Sequence, residues 1–252
     1  MESKKYNFFD TKLDKYVLTI QMDRLEKRNA FDPVFVNELC DIWDNIENSD
    51  EIKIGVLKSK SEEYFSAGAD LKQLIPLLTG EKKPTTKIEK KVIEENLLRK
   101  FYRKNKSYKK PIIGVSSGYC LAGGFELLLS CDFKIISSDS KIGFPETKLG
   151  LIPAGGGISR IVHSTSRSRA LEILINSSDI DINKLLHDGI VNEICAKENL
   201  DEILNRYIKR LLDSESTATE ILLSSIENFK ELNLAESFLL EEELLKKLSD
   251  GE

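Results

Sequence analysis

The chain has 252 residues, of which 40% are hydrophobic and 31% charged, as expected for a soluble globular protein with one sizeable core. The 42 acidic residues outnumber the 37 basic ones, and this mild net charge of −5 argues against nucleic acid as the main partner. No apolar run approaches the roughly 20 residues that span a bilayer. The first residues lack the apolar stretch of a signal peptide, so we expect a cytoplasmic protein that does not bind membranes.

Cysteine and histidine give no metal-binding pattern. There are only two histidines, which makes a histidine-based metal cluster or a Ser-His-Asp triad improbable. The four cysteines are scattered without the spacing of metal ligands, and we expect them to be free thiols in a reducing compartment. They are Cys40, Cys120, Cys131 and Cys195.

The first sixty residues predict strands around one helix. Residues 16–22 are apolar and rich in β-formers, and residues 6–9 are expected to pair with them across a turn at Leu13 and Asp14. Asp32 followed by Pro33 predicts a helix start. The next strand is expected at residues 52–57. Helical spacing gives the helix an apolar face made of Val36, Leu39, Cys40, Trp43 and Ile46.

The middle of the chain alternates small-residue turns with helical segments. Residues 64–70 end in a turn in which Gly68 can direct the N–H of Ala69 outward, and a helix is predicted from Leu71. Residues 79–86 predict a surface loop. Residues 87–108 form a long basic helical stretch, which fits either a solvated helix face or the recognition of an anionic ligand.

The central motif lies between two predicted strands at residues 110–118 and 132–136. Gly123 and Gly124 precede a helix at residues 125–130, where exposed backbone N–H groups favour negative charge. Glu126 follows Gly123 by three residues. An extended piece at residues 141–146 ends in Glu146, and a glycine-rich loop follows at residues 153–157.

The remaining segments are mainly helical. Helices are predicted at residues 166–175 and 183–188, the second closed by Gly189, and a strand at residues 190–194. Residues 199–248 have helical periodicity nearly throughout. The pattern indicates an α/β core over residues 1–197 with a helical region over residues 198–252.

These residues suggest acid–base chemistry on a carbonyl compound. If the N–H groups of Ala69 and Gly123 converge, they form a two-donor oxyanion hole, and Glu126 and Glu146 can move protons or activate water beside it. Each feature alone also has a structural explanation: tight packing for the glycines, a surface position for Glu126, and helix-start charge for Glu146.

Taken together, the motifs resemble the crotonase, or enoyl-CoA hydratase/isomerase, superfamily, from about residue 16 to residue 200. The resemblance is densest at residues 65–72 and 111–160. It implies a spiral of ββα units with a C-terminal helical region, assembled as a homotrimer or homohexamer. It also implies an acyl-CoA thioester as ligand, with coenzyme A as part of the substrate and no further cofactor or metal.

By this resemblance Ala69 and Gly123 form the oxyanion hole, Glu126 deprotonates the water that adds to Cβ, and Glu146 exchanges a proton with Cα. The implied activity is that of an enoyl-CoA hydratase. An isomerase or acyl-CoA hydrolase of the same superfamily is the alternative, and a non-catalytic binding protein is a third reading. The expected substrate-binding residues are Lys27, Arg28, Ala67, Gly68, Asp70, Lys72, Gly124 and Phe144, of which the two lysines and Arg28 are candidates for CoA phosphate contacts or plain surface charge.

The chain departs from the family pattern in three places. Phe125 and Phe144 are expected to narrow the acyl pocket. The segment at residues 74–110 is long and charged. The Ala-Phe-x-x-Lys-Arg-x-Pro stretch that commonly covers the CoA end is not found, so we expect either weaker nucleotide affinity or a protein-bound acyl carrier.

Overall fold

A computed structural model describes residues 5–104, 108–175 and 180–250. In these ranges the strands are β1 (Phe9–Asp14), β2 (Val17–Met22), β3 (Ile54–Ser59), β4 (Tyr64–Ser66), β5 (Ile112–Ser116), β6 (Tyr119–Leu121), β7 (Phe133–Ser137), β8 (Lys141–Gly143) and β9 (Glu193–Cys195). The helices are α1 (Pro33–Asn48), α2 (Ile75–Leu78), α3 (Lys87–Glu94), α4 (Leu98–Phe101), α5 (Gly123–Leu129), α6 (Gly157–Ser164), α7 (Arg167–Ile175), α8 (Ile182–His187), α9 (Leu200–Leu212), α10 (Ser216–Phe229) and α11 (Leu234–Asp250).

The strands form two sheets that the chain visits in turn. The larger sheet has the order β1-β2-β3-β5-β7-β9, and the smaller has the order β4-β6-β8. The β1–β2 pair is antiparallel and the other named pairs are parallel. Each turn therefore runs from the large sheet to the small sheet and then into helix, as in β5-β6-α5 and β7-β8-α6. This arrangement confirms the predicted spiral of ββα units.

Apolar side chains cover both faces of the large sheet. Leu18 and Ile20 of β2 point into the main core together with the apolar face of α1, whereas Val17 of β2 belongs to a second cluster. Strand β2 contributes to both clusters because side chains of a strand alternate between the two faces of a sheet. Ile203 and Leu204 of α9 complete the second cluster. Helix α9 thus packs on the core sheet. The division of the chain at residues 197 and 198 stays a prediction.

The predicted start of α1 is confirmed in detail. The side chain of Asp32 accepts a hydrogen bond from the N–H of Phe35 at 2.8 Å, and Pro33 is the first helical residue. The five residues of the predicted apolar face are all buried. A capped start and a buried stripe are the features that fix an amphipathic helix on a sheet.

The predicted N-terminal hairpin is wrong in its register. Strand β1 covers residues 9–14 rather than 6–9, and Leu13 pairs with Leu18 instead of forming the turn. The turn lies at Lys15 and Tyr16, which adopt φ values of 45° and 71°. Two positive φ values suit a tight hairpin, but this geometry is normally signalled by Asn-Gly or Asp-Gly, so Lys-Tyr gave no indication of it.

Two predicted helices also differ from the structure. Residues 71–74 form turns, and helix begins only at Ile75, although the side chain of Asp70 accepts hydrogen bonds from the N–H groups of Lys72 and Gln73 as it would at a helix start. The predicted helix at residues 87–108 is divided into α3 and α4 near Asn96, where φ is 50°. Residues 105–107 of that prediction lie outside the described residues. Short strands β4 and β6 were not predicted.

Candidate active site

The turn after β4 and the start of α5 pack against each other through glycines. A Cβ on Gly68, whose φ is +88°, would lie 2.7 Å from the backbone nitrogen of Gly123. A Cβ on Gly124 would lie 2.5 Å from the carbonyl oxygen of Ser66. Side chains larger than hydrogen cannot be accommodated at these distances without movement. The glycines therefore allow the close approach of two backbone segments.

This approach brings together two backbone nitrogens. The nitrogen of Ala69 lies 3.4 Å from the position that a Cβ on Gly123 would occupy. Gly123 is the first residue of α5, so its N–H has no acceptor within the helix. Among the described residues neither N–H has a hydrogen-bond acceptor. Ala122, just before α5, has φ 51° and ψ −132°, a conformation that costs an L-residue on the order of 1–3 kcal/mol and is typical of functional sites.

A buried arginine that the sequence analysis did not single out fixes the segment containing Ala69. Arg24 is 4% exposed, and its guanidinium lies 2.9 Å from the carboxylate of Asp32 and 3.3 Å from that of Asp70. Asp70 also accepts a hydrogen bond from the N–H of Lys72. Asp70, predicted as a substrate contact, thus has structural partners in this protein. A charged loop in a sequence gives no sign that one of its arginines is buried.

Glu126 lies in the first turn of α5 and is 4% exposed. Its Oε1 accepts a hydrogen bond of 2.9 Å from the N–H of Gly157. Burial raises the pKa of the Glu126 carboxyl, and the N–H groups of Gly157 and Gly155 oppose that rise. The positive charges of Lys104 and Arg160 lower the same pKa to a smaller extent. These backbone and charged neighbours favour the ionised form in a site that otherwise disfavours charge.

Glu146 begins a short 3₁₀ turn, Glu146–Leu149, after β8 and is 7% exposed. Its Oε2 is buried and has no hydrogen-bond partner in the described part of the chain. Burial raises the pKa of this carboxyl to about 7, and the charge of Glu126 contributes to the rise. The two predicted catalytic residues are therefore both buried and close enough to interact electrostatically.

Three further residues lie at these carboxylates. A Cβ on Gly155 would lie 2.5 Å from Oε2 of Glu126 and 2.6 Å from ring atoms of Tyr102, and a Cβ on Gly157 would lie 3.0 Å from Oε1 of Glu126. The glycine run at residues 153–157 was a visible signal, although no role was assigned to its members. Tyr102 lies in the basic helical stretch, where nothing in the sequence distinguished it.

The predicted CoA contacts are exposed and have no hydrogen bond to the glutamates. Lys27, Arg28 and Lys72 are exposed, and their side chains make no hydrogen bond to Glu126 or Glu146. Ala67, also exposed, donates its N–H to the carbonyl of Arg28 at 3.0 Å. This bond connects the loop after β2 with the segment that carries Ala69.

Both phenylalanines that were expected to narrow the acyl pocket are fully buried. The rings of Phe125 and Phe144 lie 4.9 Å apart, and each residue is 0% exposed. The ring of Phe144 lies 2.9 Å from the position of a Cβ on Gly157. In this structure the two rings support the glycine loop from within the core.

A cavity of about 860 Å³ lies beside the glycine loop. Its wall includes Lys104, Gly156 and Arg160, together with residues of α10, but neither glutamate. A Cβ on Gly156 would lie 2.3 Å from a guanidinium nitrogen of Arg160. The loop thus has the carboxylate of Glu126 next to Gly155 and a basic cavity next to Gly156.

Comparison with known proteins identifies the family. The family model described as enoyl-CoA hydratase/isomerase matches residues 12–252. The chain belongs to this family. A short-chain-enoyl-CoA hydratase of Clostridium acetobutylicum is 24% identical over 227 residues, which are 90% of this chain and 84% of that protein.

Solved structures of this enoyl-CoA hydratase/isomerase family have the same architecture. A crystal structure of an enoyl-CoA hydratase subunit I from Geobacillus kaustophilus HTA426 matches with a TM-score of 0.83 at 25% identity, covering 98% of this chain and 91% of that chain. An enoyl-CoA hydratase from Bacillus anthracis matches with a TM-score of 0.82 at 22% identity, covering 95% and 90% respectively. The protein therefore has the crotonase fold, as predicted.

The described residues contain neither a membrane-spanning helix nor a metal-binding cluster. None of the helices found there combines the length and apolar character needed to cross a membrane. Within the same residues no group of three or more His, Cys, Asp or Glu side chains is arranged to hold a metal ion.

Proposed function

We propose that this family member adds water across the 2,3 double bond of a 2-enoyl-CoA thioester and catalyses the reverse dehydration. The observation that carries the proposal is a pair of buried glutamates, Glu126 and Glu146, near two backbone N–H groups for which the described part of the chain offers no acceptor. The similarity to a short-chain-enoyl-CoA hydratase supports the same reaction. Coenzyme A enters as part of the substrate, and the proposal includes no other cofactor.

The thioester oxygen is proposed to bind the N–H groups of Ala69 and Gly123. Addition at Cβ moves an electron pair onto this oxygen and produces an enolate. Donors fixed by the backbone stabilise that charge without having to reorganise, and one such donor is typically worth roughly 10²- to 10³-fold in rate. The close packing of Gly68 on Gly123 supports this role, because it fixes both nitrogens relative to each other.

Glu126 is proposed as the base that takes a proton from water. Its Oε1 accepts a hydrogen bond from the N–H of Gly157, and the carboxylate is proposed to accept a proton from the water through a remaining lone pair. The backbone donors that oppose the rise of its pKa favour the ionised form, which a base requires. The hydroxide formed then adds to Cβ.

Glu146 is proposed as the acid that delivers a proton to Cα. A carboxyl whose pKa is about 7 is partly protonated at neutral pH, and its unpartnered Oε2 can carry the proton. After the addition Glu126 holds a proton and Glu146 has lost one, and exchange with solvent restores both. Acid–base pairs in enzymes typically consist of two titratable groups whose different environments give them different pKa values.

The remaining predicted contacts are proposed to hold the rest of the substrate. Lys27, Arg28 and Lys72 are exposed and positively charged, as phosphate contacts must be. Ala67, Gly68, Asp70 and Gly124 shape the backbone around Ala69 and Gly123. Phe144 supports the glycine loop beside Glu126.

The proposal is tested by the absorbance of the enoyl-thioester band after crotonyl-CoA is mixed with the purified protein. The wild type is expected to remove the band, and Glu126→Gln and Glu146→Gln are each expected to be slower by roughly 10²- to 10⁴-fold. Glu243→Gln on the exposed surface of α11 is the matched control and should behave like the wild type.

Each other outcome contradicts part of the proposal. If the wild type binds crotonyl-CoA without removing the band, hydration is wrong and an isomerase or hydrolase activity takes its place. If Glu126→Gln keeps full activity, the assigned base is wrong. If no acyl-CoA binds, a protein-bound carrier or a non-catalytic role replaces the proposal.

A further inference from the structure

Tyr102 places a phenolic oxygen beside Gly123. The residue follows α4 and is 4% exposed, with its ring packed edge-on against Phe101 at 4.8 Å. Its hydroxyl oxygen lies 2.7 Å from the position that a Cβ on Gly123 would occupy. The backbone nitrogen of Ala69 lies 3.4 Å from the same position. The hydroxyl and that nitrogen therefore approach one small volume next to Gly123.

The hydroxyl has no hydrogen-bond partner among the described residues. Its ring and Oε2 of Glu126 both lie close to Gly155, yet no hydrogen bond joins the phenol to that carboxylate. Buried side-chain oxygens without a partner include Oε2 of Glu146 but not the Tyr102 hydroxyl, so this hydroxyl remains accessible to solvent and to a bound acceptor. An unpaired phenol beside two unpaired N–H groups indicates that all three are available to one acceptor atom.

The phenol remains a hydrogen-bond donor at neutral pH. Burial raises the pKa of Tyr102 well above its ordinary value, and the charges of Glu126 and Glu146 raise it further. The phenolate is disfavoured because it would place a buried negative charge next to two acids.

We propose that Tyr102 donates a third hydrogen bond to the thioester oxygen, alongside the N–H groups of Ala69 and Gly123. This inference rests on the proposed function and adds a substrate-contacting residue to it. No covalent bond of the phenol breaks. The thioester oxygen gains negative charge as the enolate forms, and the hydrogen bond from the Tyr102 hydroxyl to that oxygen becomes stronger. Hydrogen bonds to an ionised acceptor are roughly twice as strong as neutral ones.

A contact that strengthens in the transition state affects turnover more than binding. Tyr102→Phe keeps the ring and its packing on Phe101 but removes the donor. We expect kcat to fall about 10- to 100-fold with little change in KM. Tyr207→Phe is the matched control, because Tyr207 lies on α9 with its ring against Phe133.

A second readout separates this role from packing. Butyryl-CoA labelled with ¹³C at the carbonyl cannot be hydrated, and its C=O stretch can be followed by difference infrared spectroscopy on binding. The stretch is expected at lower frequency on the wild type and Tyr207→Phe than on Tyr102→Phe, because a donated hydrogen bond weakens the C=O bond. Melting temperatures of all three proteins check that each one is folded.

The outcomes are distinct. An unchanged stretch on Tyr102→Phe overturns the inference, whether or not kcat falls, since the phenol then does not contact the carbonyl. If the wild type shows the Tyr102-dependent stretch but does not hydrate crotonyl-CoA, the proposed function is wrong and the third donor stands. If the wild type does not bind butyryl-CoA, both are wrong.

Discussion

At the level of single residues, the two glutamates differ in what surrounds their charge. Glu126 has a backbone donor at 2.9 Å, whereas Oε2 of Glu146 is buried without any partner in the described residues. Burying a carboxylate without compensation costs free energy, and the raised pKa of Glu146 reflects that cost. The difference on which the proposed proton transfers rest therefore also makes Glu146 a cost to stability when it is ionised.

We therefore predict that the effect of Glu146→Gln on stability depends on pH. The pKa of Glu146 is about 7 in the folded protein against 4.5 in its ordinary state, so between these values the folded state binds more protons than the unfolded state. Stability from this group is then lost as pH rises through that interval. As the pH rises from 4 to 8, the free energy of unfolding of Glu146→Gln should increase relative to that of the wild type by on the order of 2 kcal/mol.

Urea unfolding at several pH values measures this difference. Glu243→Gln, on the exposed surface of α11, serves as the control, and its difference from the wild type should stay constant. A Glu146→Gln difference that is also constant with pH would show that the carboxyl of Glu146 has the same pKa in the folded and the unfolded protein.

At the level of secondary-structure elements, the site depends on the contact between the turn after β4 and the start of α5. We predict that Gly68→Ala abolishes most activity, because the added Cβ would lie 2.7 Å from the nitrogen of Gly123 and must push the segments apart. A shift of about 1 Å in a catalytic group can cost roughly 100-fold in rate. The measurement is the initial rate with crotonyl-CoA, together with the melting temperature.

Gly189→Ala is the control for backbone strain alone. Gly189 has φ +70°, similar to the +88° of Gly68, but a Cβ there would meet nothing within 4 Å. Both variants should lower the melting temperature by a few degrees, since each forces alanine into a left-handed conformation. Equal activities of the two variants would contradict the importance of the close approach.

The same elements show what the sequence can and cannot predict. Helix α1 was predictable because its cap, Asp32, and its apolar stripe are local features. The hairpin register was not, because the turn at Lys15 and Tyr16 uses residues without turn preference. At the helix break Asn96 adopts φ 50°, which asparagine tolerates better than most residues, but a single asparagine in a helical pattern does not by itself predict a break.

At the level of the whole molecule, the spiral brings distant segments into one site. Ala69, Gly123, Glu126 and Glu146 were predictable because they lie in motifs that resemble those of one family, although their catalytic roles stay predictions. Arg24 and Tyr102 were not, since their burial depends on contacts with segments far away in the chain. Local patterns therefore identified the backbone donors and carboxylates, while the side chains that support them required the fold.

The last helix carries an exposed apolar stripe. Leu234, Phe238 and Leu245 of α11 are 70%, 53% and 67% exposed, and their spacing places them on one side of the helix. Such a stripe is unfavourable in water and is characteristic of an interface. We predict that this stripe contributes to the homotrimer or homohexamer expected from the family resemblance, because an isolated chain leaves it uncovered.

Phe238→Glu tests this prediction, because a charge in the middle of an apolar interface leaves a buried carboxylate without compensation. Sedimentation velocity should show the wild type as a trimer or hexamer and the variant shifted towards monomer at the same concentration. Lys247→Glu introduces a negative charge at an exposed position on the opposite side of the same helix and should leave the assembly unchanged. A wild type that sediments as a monomer would contradict the expected oligomer. If both variants assemble like the wild type, the interface of the oligomer lies on another surface and the stripe on α11 is not part of it.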